Sequence, residues 1–145
     1  LGDAAFLNHV HERMRRHPLA ARKLCFEITE TAAISNLDRV QEFMQSLRSF
    51  GCRFALDDFG AGLSSFAYLR TLDVDYLKID GSYVRDLAHN PVDRVMVEAV
   101  NQIGHAMGMK TIAEFVEDRS ILDVLAVIGV DYAQGYALGM PEPCG

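Results

Sequence analysis

The sequence predicts an α/β fold, one parallel sheet covered by helices, and three observations carry that prediction. Short apolar runs alternate with longer stretches whose apolar residues recur at helical spacing. Three times a helical stretch ends in glycine and an apolar strand follows: Ser49-Phe50-Gly51-Cys52-Arg53, Ala106-Met107-Gly108-Met109-Lys110 and Val127-Ile128-Gly129-Val130-Asp131. Glycine just past a helix supplies the left-handed conformation that closes it. No linker or low-complexity segment interrupts the 145 residues, so one unit is expected over 1–145.

Each element has its own signal. Phe6, Val10 and Met14 place a first helix at about Asp3 to His17, and Leu24–Ile28 reads as the first strand. Val40, Phe43, Met44 and Leu47 follow the i, i+3, i+4, i+7 spacing of a helix, and the strand Phe54–Asp57 comes next. Tyr76–Ile79 makes a third strand. Asn90-Pro91 opens a long helix with a capping residue and a proline at the first helical position. Val92, Val95, Met96, Ala99, Ile103 and Met107 mark its expected buried face. The strand Thr111–Ala113, a helix Ser120 to Ile128 and the strand Tyr132–Gln134 complete the chain.

Bulk chemistry excludes some functions. Acidic residues outnumber basic ones by 20 to 14, for a formal charge of −6, which argues against long nucleic acid as a partner. The three cysteines, Cys25, Cys52 and Cys144, form no CxxC and suggest neither a disulfide framework nor a zinc site. Cys25 is expected to be a buried, reduced thiol, and a reducing, cytoplasmic location is expected. No apolar run approaches the roughly 18 residues of a membrane span, and no signal peptide is visible. The chain opens at Leu1 rather than Met, so it is expected to be a fragment of a longer parent, in which a membrane anchor elsewhere stays open.

Chemistry concentrates at the strand ends. The first strand runs into Glu27-Ile28-Thr29-Glu30, the second into Asp57-Asp58, the third into Lys78-Ile79-Asp80. The fourth runs into Glu114-Phe115-Val116-Glu117 and the fifth into Gln134-Gly135-Tyr136. In a parallel βα architecture these ends share one face, where ligands bind. Two like charges about 4 Å apart repel by ~4 kcal/mol at an effective dielectric near 20, and a divalent cation removes that repulsion. Oxygen ligands of this kind suit Mg²⁺, Mn²⁺ or Ca²⁺. Alone, Asp57-Asp58 reads as readily as a helix cap or Asx-turn, and Lys78 as a snorkelling surface lysine. Five strand ends together favour a site. Asp58-Phe59-Gly60 matches a kinase metal-binding triplet, but the other kinase motifs are absent. The five histidines have no ligand spacing, and Ser64-Ser65 lacks a histidine base.

The segments "FEITET" (Phe26–Thr31), "DDFGAGLSSF" (Asp57–Phe66), "LKIDGSYV" (Leu77–Val84), "TIAEFVED" (Thr111–Asp118) and "QGYALGMPEP" (Gln134–Pro143) resemble the EAL domain. That family comprises bacterial phosphodiesterases for cyclic di-GMP, built on a TIM-like barrel. The resemblance covers almost the whole chain and implies an incomplete TIM-like (β/α) barrel of about five parallel strands, the C-terminal portion of an EAL domain. It implies metal-ligand roles for Glu27, Asp57 and Asp58, Lys78 at the attacking water and phosphate, and Glu114 as general base or metal-linked partner. Gln134, Asp80 and Glu117 then resemble supporting site residues, and Glu30 the glutamate that holds the loop after Asp58. The Glu-Ala-Leu motif and the asparagine of the following strand do not occur, and the resemblance places both upstream of Leu1. Ala61, Leu63 and Phe115 depart from the family pattern, Phe115 where glycine is common.

The implied activity is hydrolysis of cyclic di-GMP to linear pGpG with two Mg²⁺ or Mn²⁺ ions. The alternative is a non-catalytic cyclic di-GMP receptor or dimerisation module. A homodimer is expected, as is a parent with a sensory or GGDEF domain. Five strands of eight leave two open edges, so the fragment alone is expected to be inactive and to self-associate.

Overall fold

The computed structural model describes residues 4–60, 66–135 and 142–143. Helices α1 (Ala4–Arg16) and α2 (Pro18–Ala21) lead into β1 (Cys25–Thr29), α3 (Glu30–Ser35) and α4 (Leu37–Arg48). Strand β2 (Arg53–Phe59), a short 3-10 turn (Phe66–Arg70), β3 (Tyr76–Ile79), α5 (Gly81–Val84) and α6 (Pro91–Ala106) follow. Then come β4 (Lys110–Ala113), α7 (Arg119–Ile128), β5 (Tyr132–Ala133) and β6 (Glu142–Pro143). The sheet runs β1-β2-β3-β4-β5-β6, with the first five strands parallel and β6 antiparallel to β5. The expected five parallel strands are present. The expected two open edges are present among the described strands: β1 at one end and, because the short β6 pairs along β5, β6 at the other.

The predicted helix-closing glycines all take left-handed backbone: φ is 83 at Gly51, 80 at Gly108 and 95 at Gly129. The Asn90 side chain caps α6 by accepting from Val92 and Asp93 N–H at 3.0 and 3.2 Å, with Pro91 at the first position. The outer sheet face meets the helices through Phe54, Leu56, Phe59, Leu77 and Ile79, each at 0% exposure, and α4 adds Val40, Phe43, Met44 and Leu47 as its spacing predicts.

Three expectations about burial are corrected. The buried stripe of α6 is Val97, Val100, Asn101 and Gly104, while Val92, Val95 and Met96 are exposed. Gly104 decides this. A Cβ there would stand 3.0 Å from Thr111 Cγ2 and 3.2 Å from Leu77 Cδ2, so α6 approaches β3 and β4 over the one residue that leaves room. Asn101 is buried because Thr111 Oγ1 donates to its Oδ1 at 2.6 Å. In α1, Val10 and Met14 are buried but Phe6 is exposed, because its neighbour Leu7, one turn before Val10, is the residue that packs against the core there. Cys25 is exposed, because strand alternation turns it with Glu27 to the face opposite Phe26 and Ile28. Cys52 is the buried thiol, and Cys144 lies outside the described residues.

One repeat, Val-Asp-Tyr, heads β3 as Val74-Asp75-Tyr76 and β5 as Val130-Asp131-Tyr132. Asp75 Oδ2 accepts from Phe54 N–H at 2.8 Å and pairs with Arg48 Nη1 at 3.0 Å. Asp131 Oδ2 accepts from Thr111 N–H at 2.8 Å and meets His105 Nε2 at 2.7 Å. Each aspartate thus ties a strand start to its neighbour and to the helix before that neighbour.

Candidate functional site

Strand alternation sends Glu27, Asp57, Lys78 and Glu114 to the concave face of the sheet, opposite the helix-covered face. Beneath them that face forms a concavity of about 360 Å³ lined by Cys25, Glu27, Ala55, Tyr76, Lys78, Ile112 and Tyr132. The polar residues gather above it, at the strand C-termini.

The paired aspartates sit in a bulge. Leu56 pairs with Leu77 and Phe59 with Ile79, so Asp57 and Asp58 together stand opposite Lys78 alone. Asp58 takes φ 57, and its N–H donates to Asp57 Oδ1 at 2.9 Å. In a regular strand, neighbouring side chains point to opposite faces. The bulge cancels that rule and lets both carboxylates join Glu114, with one oxygen of each residue within 4.8 Å of the others. The two buried flanks, Leu56 and Phe59, keep their places on the outer face.

Lys78 is the countercharge. Its side chain is 5% exposed; Nζ lies 2.6 Å from Glu27 Oε1 and 3.3 Å from Glu114 Oε1. Burial works against its charge, but the Glu27 hydrogen bond and the charges of Glu114, Glu27 and Asp57 outweigh it and shift its pKa up. One ammonium does not neutralise the cluster. Burial, then the hydrogen bond and charge of Asp57, push the Glu114 carboxyl up to about 8, although Lys78 pulls it down. The Asp58 carboxyl is raised by desolvation, then by Asp57 and Asp80. Oxygen donors held this close form a donor set that fits a hard divalent cation.

The other candidates divide by position. Glu30, 4% exposed, accepts from Gly60 N–H at 3.0 Å. Burial raises its pKa, offset in part by the Gly60 N–H and Tyr68. Asp80 caps α5 by accepting from Ser82 N–H at 3.3 Å, and its charge reaches Asp58 and Glu30. Gln134 stands at the end of β5; its N–H donates to Ala113 O at 2.8 Å and its Oε1 is buried without a partner among the described residues. Gly135 lets it sit there, because a Cβ on Gly135 would be 1.9 Å from Val116 O. Glu117 is exposed and stands apart, with no hydrogen bond or ion pair among the described residues. Glu27 joins Lys78 rather than the three-carboxylate group. Ala61, Gly62, Leu63, Ser64, Ser65 and Tyr136 lie outside the described residues.

The Tyr83 contact escaped the sequence reading, which marked Phe115 as standing where glycine is common but not its backbone conformation. Tyr83 O–H donates to Gly60 O, so Gly60 (φ 98) is grasped through both its N–H and its carbonyl. The available signal was the tyrosine three residues after Asp80. Phe115 takes φ 57, which for a non-glycine residue costs on the order of 1–3 kcal/mol. Its ring lies over Gly81, where a Cβ would be 1.8 Å from Phe115 Cδ2.

The sequence model of the EAL domain matches residues 1–141. The chain is 46% identical over 143 residues to the cyclic di-GMP phosphodiesterase PdeB of Shewanella oneidensis, covering 99% of this chain and 17% of that protein. It is similar to the solved FimX EAL domain from Pseudomonas aeruginosa bound to c-di-GMP, with TM-score 0.86 and 31% identity, covering 99% of this chain and 58% of that one. The PaMucR phosphodiesterase in its c-di-GMP complex gives TM-score 0.86 and 33% identity, covering 98% of this chain and 57% of that one. The chain therefore spans 17–20% of the length of the first curated relatives it matches. Five parallel strands under helices, with these neighbours, bear out the TIM-like (β/α) architecture. No helix among the described residues is long and apolar enough to cross a membrane.

Proposed function

Because the chain belongs to the EAL-domain family, we propose that it forms the C-terminal portion of a site that hydrolyses cyclic di-GMP to linear pGpG. The observation that carries this reading is the meeting of Asp57, Asp58 and Glu114 beside a buried lysine. Such a cluster is strained without a cation and relieved with one. Asp57 and Asp58, with Glu27, would hold divalent ions, Mg²⁺ or Mn²⁺. When bound, these supply Lewis acidity towards the phosphodiester and acidify a water.

The chain's own residues do the rest. Lys78 Nζ offsets part of the charge of Glu27 and Glu114 and presents an N–H donor to an approaching phosphate oxygen. Glu114, raised to about 8, can hold or release a proton at its carboxyl near neutral pH, the property a general base needs. Glu30 and Tyr83 hold Gly60 and so the end of the β2 bulge that aims Asp57 and Asp58. Asp80 and Gln134 are supporting residues at the ends of β3 and β5, and Glu117 a peripheral one. Water adds to phosphorus, one ring P–O bond breaks, and the released 3′ oxygen takes the proton.

A homodimer belongs to the same reading. The exposed apolar stripe Val92, Val95 and Met96 on α6 supports it. The proposed setting is the cytoplasm, in a parent with a sensory or GGDEF domain. The test is hydrolysis of cyclic di-GMP by the full-length protein with Mg²⁺ or Mn²⁺. Linear product that disappears in Asp57→Ala is the expected result, and no turnover by the wild type sinks the reading.

A further inference from the structure

Phe115 stands next to Glu114 and has no part in the chemistry just described. Among the described residues only it and Asp58 take positive φ without being glycine. For a bulky aromatic residue this is a genuine outlier, and glycine is the unstrained choice. Burial does not compensate: Phe115 is 53% exposed and is not part of the hydrophobic core cluster. The ring is nonetheless placed. It rests on the bare backbone of Gly81, where any Cβ would overlap it at 1.8 Å. Gly81 follows Asp80 at the end of β3, and Phe115 follows Glu114 at the end of β4. The ring therefore spans the ends of two strands whose other side chains form the charged cluster. It is an apolar plate, backed by backbone and half open, at the rim of a polar site.

We propose that Phe115 is a specificity-determining residue that stacks on a purine base of the cyclic dinucleotide substrate. This rests on the phosphodiester reading. The charged groups address the reacting phosphate, and a base projecting from the same nucleotide needs an apolar surface beside them. Aromatic side chains stack on nucleic-acid bases through their π faces, and a purine offers the larger face.

Steady-state hydrolysis by the full-length protein tests this, using cyclic di-GMP and a cyclic dinucleotide with pyrimidine bases. Phe115→Gly should raise KM for cyclic di-GMP roughly ten- to hundredfold. It should leave kcat within about twofold, because the ring touches the base and not the reacting atoms. Its Tm should be unchanged or higher, since glycine relieves the backbone, and its purine preference should shrink. Phe115→Tyr and Phe115→Trp should keep KM within about threefold of wild type, and Phe115→Leu should fall between. An unchanged KM in Phe115→Gly overturns the inference. So does a joint fall of kcat and Tm, which marks a ring that merely seals the sheet end. Wild-type protein without activity on cyclic di-GMP overturns the phosphodiester reading first and this one with it, whereas an active wild type matched by Phe115→Gly overturns this one alone.

Discussion

At the N-terminal ends of the strands, Asp75 and Asp131 each accept a backbone N–H and face a side chain that can donate to them, Arg48 or His105. At the C-terminal ends, Asp57, Asp58 and Glu114 face chiefly one another, with Lys78 already shared by Glu27. The pKa shifts follow the partners. Burial tends to raise Asp131, but the Thr111 N–H and His105 outweigh it and its carboxyl ends low. Burial raises Glu114 to about 8 and Asp57 adds to the rise. One sheet thus carries carboxylates that knit the fold and carboxylates that the fold holds against their own repulsion. Partners, not residue type or burial, tell the two apart.

The largest effect should come from Asp57→Asn. Turnover by the full-length protein should fall at least about a hundredfold, ~2.7 kcal/mol in the barrier. Metal-free Tm should rise, because Glu114 loses its repulsive neighbour. A falling Tm would make Asp57 a structural acid like Asp75 and erase the contrast.

Asp75→Ala should do the reverse. It strands Phe54 N–H and the part-buried Arg48, at a cost of about 2–3 kcal/mol in urea denaturation. Turnover per folded molecule should stay at the wild-type level.

The pH response sharpens the comparison. Glu114 has its folded pKa raised from 4.5 to about 8, so between those values the folded chain keeps a proton that the unfolded chain releases. On this account metal-free stability is full below 4.5 and declines as pH rises towards 8. Thermal melts from pH 5 to 8 should fall by a few degrees, flatten in Glu114→Gln, and recover at pH 8 with Mg²⁺ or Mn²⁺. Asp131, lowered on folding, contributes stability above its unfolded value and loses it as pH falls.

The smallest effect belongs to His105→Gln. The His105 ring is 40% exposed, and its contact with Asp131 should be worth less than about 1 kcal/mol by denaturant midpoint. A larger loss would make the second Val-Asp-Tyr tie as stiff as the first.

Much of this site was legible before the fold. Parallel βα connectivity sends strand ends to one face, so Glu27, Asp57, Lys78, Glu114 and Gln134 were expected together from their positions alone. The α6 face was not legible. That helix carries two apolar stripes, and the wetter one, Val92, Val95 and Met96, looks the more hydrophobic. The buried stripe contains Gly104 and Asn101, which apolar counting discounts, and it is chosen by close approach to Thr111 and Leu77.

The sequence by itself determined the order of the five parallel strands and the four longest helices, the left-handed helix ends at Gly51, Gly108 and Gly129, and the polar character of the five parallel strands' ends. These follow from local spacing and backbone chirality, which act within a few residues. Only the tertiary structure decided that Asp57 and Asp58 share a bulge, that Lys78 bonds Glu27 across 51 positions of chain, and that Phe115 is held at φ 57 over Gly81. Each depends on groups distant in sequence coming to occupy one small volume, where sterics and charge must be resolved together.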